Sequence, residues 1–331
     1  MAKRGVAVTL GQYGGVEGLA FHGQVPRDPD DDEVLVEVVA AGVSHMDAFV
    51  RAGEFQDEIP LSFPAAQGSS FAGIVRKVGR NVKNLHPRSE VIGFDPAHGS
   101  WANHVTVPAT ALTRKPERLD FEIAGGLYLV GCTALQVVTP LGLAERDTVV
   151  VSAAAGGVGH IECKLARLAG AEVIGIAGAE NADYLRSLGV KPVRYGDELA
   201  AAIDEAAHGR PVTAFIDNYG GYDDLAAELG VAPARFAPSS RRRRIEIDLY
   251  TDPGTDPRAT QALADIAELL QTWGIRVLVS GFYAFDDLPR AVADLHALHS
   301  RGIVVVGMHP SDGGANARGP KLRSLYEERG R

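Results

Sequence analysis

Cysteine is almost absent from this sequence, whose 331 residues include only Cys132 and Cys163. Two thiols cannot form a disulfide framework, and they cannot supply the four thiolates of a structural zinc lobe. We therefore interpret both cysteines as small buried hydrophobic residues of a protein from a reducing compartment.

Long apolar runs and an excess of positive charge are missing as well. No stretch approaches the ~18–20 apolar residues of a membrane-spanning helix, and Met1 to Arg4 lead into a strand pattern rather than the apolar core of a signal peptide. The formal net charge of −9 argues against general nucleic-acid binding. A content of 46% hydrophobic residues and 38 glycines is typical of an α/β protein. Taken together, these features lead us to expect a cytoplasmic enzyme that acts on a small molecule.

The most informative stretch is a buried strand that breaks at small residues and continues as a helix. Three valines at 149–151 precede Ser152-Ala153-Ala154-Ala155-Gly156-Gly157-Val158-Gly159, and a helical pattern covers 160–168. This order fits the G-x-G-x-x-G pattern, with Ala154 in the first glycine position and Gly156 and Gly159 in the others. Such a turn lets the backbone approach a pyrophosphate, whose charge the helix N-terminus receives. A plain tight turn is the alternative to a dinucleotide site.

The pattern changes along the chain near Phe121. Before it, strands are predicted at 34–40, 71–79, 90–94 and 104–107. After it, helical segments near 123–140, 158–169 and 180–188 alternate with apolar strands near 148–152, 173–177, 192–195 and 212–217. Such alternation predicts a parallel sheet with helices on both faces. Two further helix–strand pairs follow, near 258–273 with 276–279 and near 286–300 with 302–306.

Five local motifs resemble the medium-chain dehydrogenase/reductase superfamily. They are Ala41-Gly42-Val43-Ser44-His45-Met46-Asp47, Phe63 to Gly73, Gly131 to Ala134, Asp217 to Gly221 and Gly302 to Val306. The resemblance is greatest to the zinc-free quinone oxidoreductase branch, which includes enoyl and enone reductases. It implies a GroES-like β-rich catalytic domain formed by residues 1–122 and 267–310, a Rossmann doubly wound cofactor domain at 123–266, and a mobile tail at 311–331.

The resemblance also implies a chemistry and an assembly. In that branch a nicotinamide hydride is added to the β-carbon of an activated double bond, or to a quinone, and the protein is a homodimer. Two alternatives stay open. One is a stand-alone enoyl reductase acting on a carrier- or CoA-bound substrate, and the other is a nucleotide-binding protein without redox activity.

Zinc is not expected, because its ligands are replaced. Zinc-dependent relatives carry Cys where this chain has Ser44, and a His-Glu pair where it has Gly68-Ser69. His45 remains, but one imidazole cannot hold a catalytic zinc, which takes three protein ligands. Met46 occupies the place where zinc enzymes keep a hydroxyl relay.

The residues that meet the second phosphate of the cofactor favour NADPH but leave NADH open. The second strand of the parallel sheet ends at Gly178 without the acid that usually binds a free ribose. Tyr195 matches a tyrosine that relatives place beside the 2′-phosphate. However, Asn181 stands where relatives often supply a lysine, and Glu180 would repel a phosphate.

Three residues of the first motif are candidates for catalysis. Ser44 and Asp47, at i and i+3, could orient the substrate or the carboxamide of the cofactor by hydrogen bonds. The alternative is that Asp47 caps a helix beginning at Ala48. His45 could donate the proton that completes the reduction, because its ordinary pKa lies near neutrality, or it could simply line a pocket.

Further residues are assigned from the resemblance. Phe55 stands near the tyrosine proton donor of mitochondrial-type enoyl reductases, so this chain lacks that donor. Gln67 and Tyr128 are candidates for the substrate cleft, or else core or hinge residues. Thr133 and Asn218 are expected near the nicotinamide end of the cofactor, with a packed helix residue and an ordinary turn as the alternatives.

The charge run Arg241 to Arg244 lies where the chain departs most from the family. The usual strand there is replaced, which makes a fifth strand uncertain. A solvated loop is the simplest interpretation, but guanidinium groups would also suit the phosphates of a CoA or acyl-carrier arm.

Overall fold

A computed structural model describes residues 5–251, 257–273, 277–297 and 301–308. Fifteen strands are found in these ranges: β1 Gly5–Leu10, β2 Leu19–Gln24, β3 Glu33–Val43, β4 Ala65–Ala66, β5 Ser70–Val78, β6 Glu90–Phe94, β7 His104–Pro108, β8 Leu112–Arg114, β9 Thr148–Val151, β10 Glu172–Ala177, β11 Lys191–Arg194, β12 Ala214–Ile216, β13 Phe236–Ala237, β14 Val279–Ala284 and β15 Ile303–Gly307. The helices are α1 His45–Ala52, α2 Phe121–Gly125, α3 Leu127–Val138, α4 Gly159–Leu168, α5 Ala182–Ser187, α6 Leu199–Ala207, α7 Asp223–Glu228, α8 Ser239–Thr251, α9 Pro257–Thr272 and α10 Leu288–Ala297.

The second half of the chain forms the predicted parallel sheet. Its five strands lie in the order β11-β10-β9-β12-β13, and every neighbouring pair is parallel. Its central strand β9 is buried along its whole length, because Val149, Val150 and Val151 meet side chains on both faces. This is the doubly wound arrangement in which ligands bind at the carboxyl ends of the strands.

The first half forms mainly antiparallel sheets. Seven strands make the larger sheet, in the order β14-β15-β3-β5-β6-β8 with β7 paired to β3, and β2-β1-β4 make the smaller one. The closing strand β15 joins this larger sheet beside β3, with Val304 opposite Val43. The chain therefore returns to its first part after completing the parallel sheet, as the resemblance implies. The domain limits at 122, 266 and 310 stay predictions.

Three expectations of the sequence need correction here. The run Arg241 to Arg244 is not a loop but part of helix α8, where Arg242 and Arg244 pair with acids one turn later. The strand expected at 276–279 begins at Val279. The doubtful fifth strand exists as β13, but it has two residues. The predicted mobile tail at 311–331 lies outside the described residues.

Among the helices that the structure describes, none combines the length and the apolarity needed to cross a membrane.

The two main sheets meet at a backbone contact between the glycine turn and the segment before β15. The Gly302 N–H donates to the Ala155 carbonyl at 2.9 Å, and Gly302 forms an isolated parallel bridge with Gly156. Gly302 has φ +73°, and a Cβ there would lie 2.0 Å from the Leu278 carbonyl oxygen. Only glycine therefore fits this junction.

We predict that Gly302→Ala lowers the free energy of unfolding by at least ~3 kcal/mol, because left-handed strain adds to a backbone clash. The matched control is Gly209→Ala. Gly209 has φ +79° but nothing within 4 Å of its Cβ position, so the strain alone costs about 1 kcal/mol. Urea denaturation of both variants measures the difference. An equal decrease in the free energy of unfolding of the two variants would contradict the explanation that a Cβ at position 302 collides with the Leu278 carbonyl.

Candidate functional site

A cavity of about 850 Å³ lies where the carboxyl ends of β9, β10 and β12 face the beginning of α1. Both main sheets contribute to its wall, and the larger sheet does so partly through Ile303 and Val304 of β15. Of the residues predicted from sequence, the wall includes Ser44, His45, Gly156, Gly157, Val158, Gly159, Gly178, Asn181, Tyr195 and Asn218. Residues that are far apart in the chain therefore line a single cavity.

The glycine turn is shaped so that its backbone is exposed to the cavity. Ala153 has φ +47°, and a Cβ on Gly159 would lie 2.4 Å from the Ala153 carbonyl oxygen. Helix α4 begins at Gly159, so its positive N-terminal end is at the cavity. The turn therefore leaves a space for a pyrophosphate beside a helix N-terminus. Larger side chains at this turn would fill that space.

A positive charge reaches the end of β10 from a distant part of the chain. The Arg301 Nε donates to Asn181 Oδ1 at 2.5 Å, and its Nη2 donates to the Glu180 carbonyl oxygen at 2.6 Å. Tyr195, which is 48% exposed, lines the same cavity. Sequence analysis missed Arg301, because 120 residues separate it from Asn181. Its position just before the closing motif at Gly302 was the one sequence feature that could have indicated it.

Ser44 and Asp47 form a reciprocal cap on α1, which corrects the alternative that Asp47 caps a helix starting at Ala48. Ser44 is the N-cap and the helix starts at His45. Ser44 Oγ accepts the Asp47 N–H at 3.2 Å, while Asp47 Oδ2 accepts the Ser44 N–H at 2.8 Å and its Oγ–H at 2.6 Å. Asp47 is 3% exposed, and burial raises the pKa of its carboxyl. Of the two side chains, Ser44 is the one on the cavity wall.

The three predicted cleft residues pack behind the wall rather than on it. Tyr128 is 1% exposed, its ring lies 4.3 Å from that of Phe94, and its hydroxyl donates to the Leu249 carbonyl at 2.8 Å. The Gln67 amide donates to the neighbouring Ala66 carbonyl. Phe55 packs edge-on against Phe49, which does line the cavity. Core packing, which the sequence analysis left open as the alternative for Gln67 and Tyr128, explains their positions.

Two of the predicted cofactor residues are also buried behind the wall. Ala154 has no exposed surface and packs against β10, where a Cβ on Gly175 would lie 2.9 Å from the Ala154 Cβ. Thr133 on α3 is fully buried, and its hydroxyl has no hydrogen-bond partner among the described residues. Both residues can shape the turn and helix beside a cofactor without reaching the cavity themselves.

Asn218 is held by a network of buried polar groups. Its N–H donates to Ser152 Oγ at 2.7 Å, and its Nδ2 donates to Glu162 Oε2 at 2.5 Å. Ser152 in turn donates to Asp217 at 2.8 Å. The sequence motif predicted Asn218 but not Glu162, which is fully buried on the first turn of α4. Burial raises the pKa of Glu162 to about 7, and Glu246 adds to this, while Asn218 and Arg242 oppose it.

The polar groups at the start of α1 do not resemble a zinc site. Ser44 and His45 offer one hydroxyl and one imidazole to the cavity. In the described ranges, no three His, Cys, Asp or Glu side chains come together in an arrangement that could hold a metal ion. The residues present therefore do not fit a catalytic zinc.

Comparisons with known proteins agree with this architecture. Residues 30–117 match the family model "Alcohol dehydrogenase GroES-like domain". Quinone oxidoreductase 1 of Escherichia coli (strain K12) is 31% identical over 213 residues, which cover 63% of this chain and 64% of that protein. The match thus spans slightly less than two thirds of that relative.

Two solved structures share the fold over nearly the whole chain. The Escherichia coli quinone oxidoreductase complexed with NADPH has a TM-score of 0.77 at 23% identity, covering 91% of this chain and 99% of that one. The CurK enoyl reductase has a TM-score of 0.77 at 22% identity, covering 92% of this chain and 100% of that one.

We predict that Glu162→Gln stabilises the protein at alkaline pH and has little effect at acid pH. The folded protein holds the Glu162 proton more tightly than the unfolded chain, since the pKa rises from 4.5 to about 7. Ionisation therefore lowers the stability of the wild type as pH increases between these values. The variant avoids this loss, which amounts to ~3 kcal/mol above pH ~8.

Unfolding in urea across this pH range measures the effect. Glu228→Gln, on the exposed face of α7, serves as the control and should follow the wild type. Parallel stability curves for Glu162→Gln and the wild type would contradict a buried, proton-binding Glu162.

Proposed function

We propose that this chain is an NADPH-dependent oxidoreductase of the quinone oxidoreductase branch of the medium-chain dehydrogenase/reductase superfamily, to whose members it is similar. It transfers a hydride to a quinone or to an α,β-unsaturated carbonyl without a catalytic zinc. The observation that carries this proposal is the single cavity, whose wall includes the glycine turn and Asn181, the hydrogen-bond partner of Arg301, together with Ser44 and His45.

The cavity offers groups suited to each part of the cofactor. The turn from Gly156 to Gly159 and the N-terminus of α4 would hold the pyrophosphate. Asn218 would contact the nicotinamide ribose, and Thr133 and Ala154 would support the site from behind. Gly178, Asn181 and Tyr195 would surround the 2′-phosphate, which Arg301 would meet with a guanidinium fork. When bound, NADPH supplies the hydride.

The residues of this chain contribute positioning and hydrogen bonding. Met46, Phe49, Leu129 and Val130 form an apolar wall near Ser44, which would exclude water and hold a flat substrate. Ser44 and His45 would donate hydrogen bonds to the substrate oxygen as negative charge develops on it. Such donors replace the carbonyl polarisation that zinc provides in other relatives, so conjugate reduction is favoured over alcohol oxidation.

An enoyl reductase acting on a carrier- or CoA-bound substrate is the second candidate. The fold shared with the CurK enoyl reductase supports it. Helix α8 adds the exposed side chains of Arg243 and Arg244 near the cavity residue Arg242, where a phosphate-bearing arm would find positive charge. Comparing the same enoyl group as a free enone, as a CoA ester and on a carrier protein separates the two candidates. The homodimer and the cytoplasmic location implied by the resemblance stay predictions.

The proposed function is tested by following NADPH absorbance with a panel of quinones and enones. We expect consumption of NADPH that depends on one of these acceptors, with the reduced acceptor as product. Tight binding of NADPH without consumption of any acceptor would overturn the proposal and favour a nucleotide-binding protein without redox activity.

Replacing Arg301 should change the preference between the two nicotinamide cofactors. We predict that Arg301→Ala raises the KM for NADPH ~10–100-fold, because a hydrogen-bonded charge pair with the 2′-phosphate is lost. The KM for NADH, which lacks this phosphate, should change less than about threefold. Arg80→Ala, which removes an exposed arginine paired with Asp31, is the control and should leave both values unchanged. Equal losses with NADPH and NADH would show that Arg301 does not recognise the phosphate.

A further inference from the structure

Helix α8 lies where the sequence departs from the family, and it brings a tyrosine to the first motif. The Tyr250 hydroxyl donates to Asp47 Oδ1 at 3.0 Å, although 203 residues separate the two in the chain. Both side chains are 3% exposed. No sequence motif indicated Tyr250, and the proposed function does not yet use it.

Ser44, Asp47 and Tyr250 form a continuous hydrogen-bond chain that ends at the cavity. Asp47 Oδ1 accepts from Tyr250, and Asp47 Oδ2 accepts from both the N–H and the Oγ–H of Ser44. Ser44 is the member of this chain that lines the cavity. The Oγ to Oδ2 distance of 2.6 Å suits transfer of a proton in either direction.

We propose that Asp47 stores the proton that completes the reduction, that Ser44 delivers it to the substrate, and that Tyr250 sets how readily Asp47 releases it. This inference rests on the proposed function. Ser44 is the catalytic residue, because it faces the substrate. Asp47 and Tyr250 act through it as positioning residues.

The proton transfer balances in two linked steps. Once the substrate has accepted a hydride, its oxygen carries a negative charge. The Ser44 O–H bond breaks as its proton bonds to that oxygen, and Ser44 Oγ takes the proton from Asp47 Oδ2. The products are a neutral reduced substrate and an ionised Asp47. After product release, a proton from solvent in the cavity returns to Asp47 through Ser44.

The surroundings of Asp47 allow both of its protonation states. Burial raises the pKa of Asp47, which favours the protonated form, while the hydrogen bonds from Ser44 and Tyr250 and the charge of Arg51 lower it. Arg51 is itself 3% exposed and lies one turn further along α1, and Glu17 faces it. The His98 ring stacks on Tyr250 at 4.2 Å, and burial lowers the pKa of His98 to about 4, so it adds no charge at neutral pH.

The hydrogen bond from Tyr250 favours the ionised form of Asp47. Without it, Asp47 should hold its proton to a higher pH. The expected shift is about one pH unit, the size that the loss of a single hydrogen bond to a charged group produces. Replacing a residue that only stabilises the fold would not shift the pH at which Asp47 ionises.

The first experiment needs neither substrate nor cofactor. Infrared difference spectra of the wild type against Asp47→Asn, recorded as a function of pH, follow the carbonyl stretch of the protonated carboxyl. We expect a protonated Asp47 that ionises well above the ordinary range of an aspartate, and a further shift upward in Tyr250→Phe. An Asp47 that is ionised down to the ordinary aspartate range would overturn the proposal, whether or not the protein reduces any acceptor.

The second experiment follows kcat with the best acceptor from the panel. Ser44→Ala and Asp47→Asn should each lower kcat ~100-fold or more with little change in KM, as expected for loss of general acid catalysis. In the wild type, kcat should fall at high pH as Asp47 ionises. Tyr250→Phe should move this decline upward by about one unit.

Tyr283→Phe is the matched control. Tyr283, which lies on strand β14, also donates to a carboxylate, Asp294 Oδ2, at 2.8 Å. Loss of the Tyr283 hydroxyl should leave the pH profile of kcat unchanged. Two results would overturn the proposal while leaving the proposed function intact. One is a kcat of Asp47→Asn equal to that of the wild type. The other is a decline of kcat at high pH that His45→Gln alters instead of Tyr250→Phe. An inactive wild type would instead refute the proposed function.

Discussion

The contact of Gly302 with the turn Ala155–Gly156 determines how the rest of the molecule is arranged. Its N–H donates to the Ala155 carbonyl, and the bridge to Gly156 brings the closing strand β15 against the end of β9. Because β15 also pairs with β3, this contact fixes the start of α1 opposite the glycine turn. The cavity, with Ser44 on one wall and the N-terminus of α4 on the other, follows from this geometry. A side chain at position 302 would collide with the backbone of Leu278, so this contact requires glycine there.

Helix α8 brings side chains from a distant part of the chain to the cavity and to the start of α1. Its inner face carries Arg242 and Glu246 to the cavity and Tyr250 to Asp47. The same helix influences the buried Glu162 through the charges of Arg242 and Glu246. Burial raises the pKa values of three carboxyl groups that contact this helix or the cavity wall, those of Asp47, Glu162 and Glu246. A carboxyl group whose pKa is raised keeps its proton to a higher pH than an ordinary carboxyl, which suits chemistry that ends in proton transfer.

Local patterns predicted most of the elements and many of the residues that line the cavity. The valines before the glycine turn and the helical pattern after it identified β9 and α4 because strand, turn and helix are adjacent in sequence. Gly178 followed from the end of the second parallel strand, while Tyr195 and Asn218 were implied by the resemblance to relatives. The same reasoning could not decide between cleft and core for Gln67 and Tyr128, and it placed Phe55 only near the cleft, since a motif does not indicate which way side chains pack.

By itself, the sequence determined the alternating α/β architecture, the glycine turn, the missing zinc ligands and the positions of Ser44 and Asp47 at the beginning of a helix. These features depend on residue type and on short spacings. Only the tertiary structure decided that Arg301 meets Asn181 and that Tyr250 meets Asp47, across 120 and 203 residues. Such pairs depend on how the sheets pack against each other and on where α8 packs. The energy of that packing is distributed over the whole core, so no local sequence pattern indicates it.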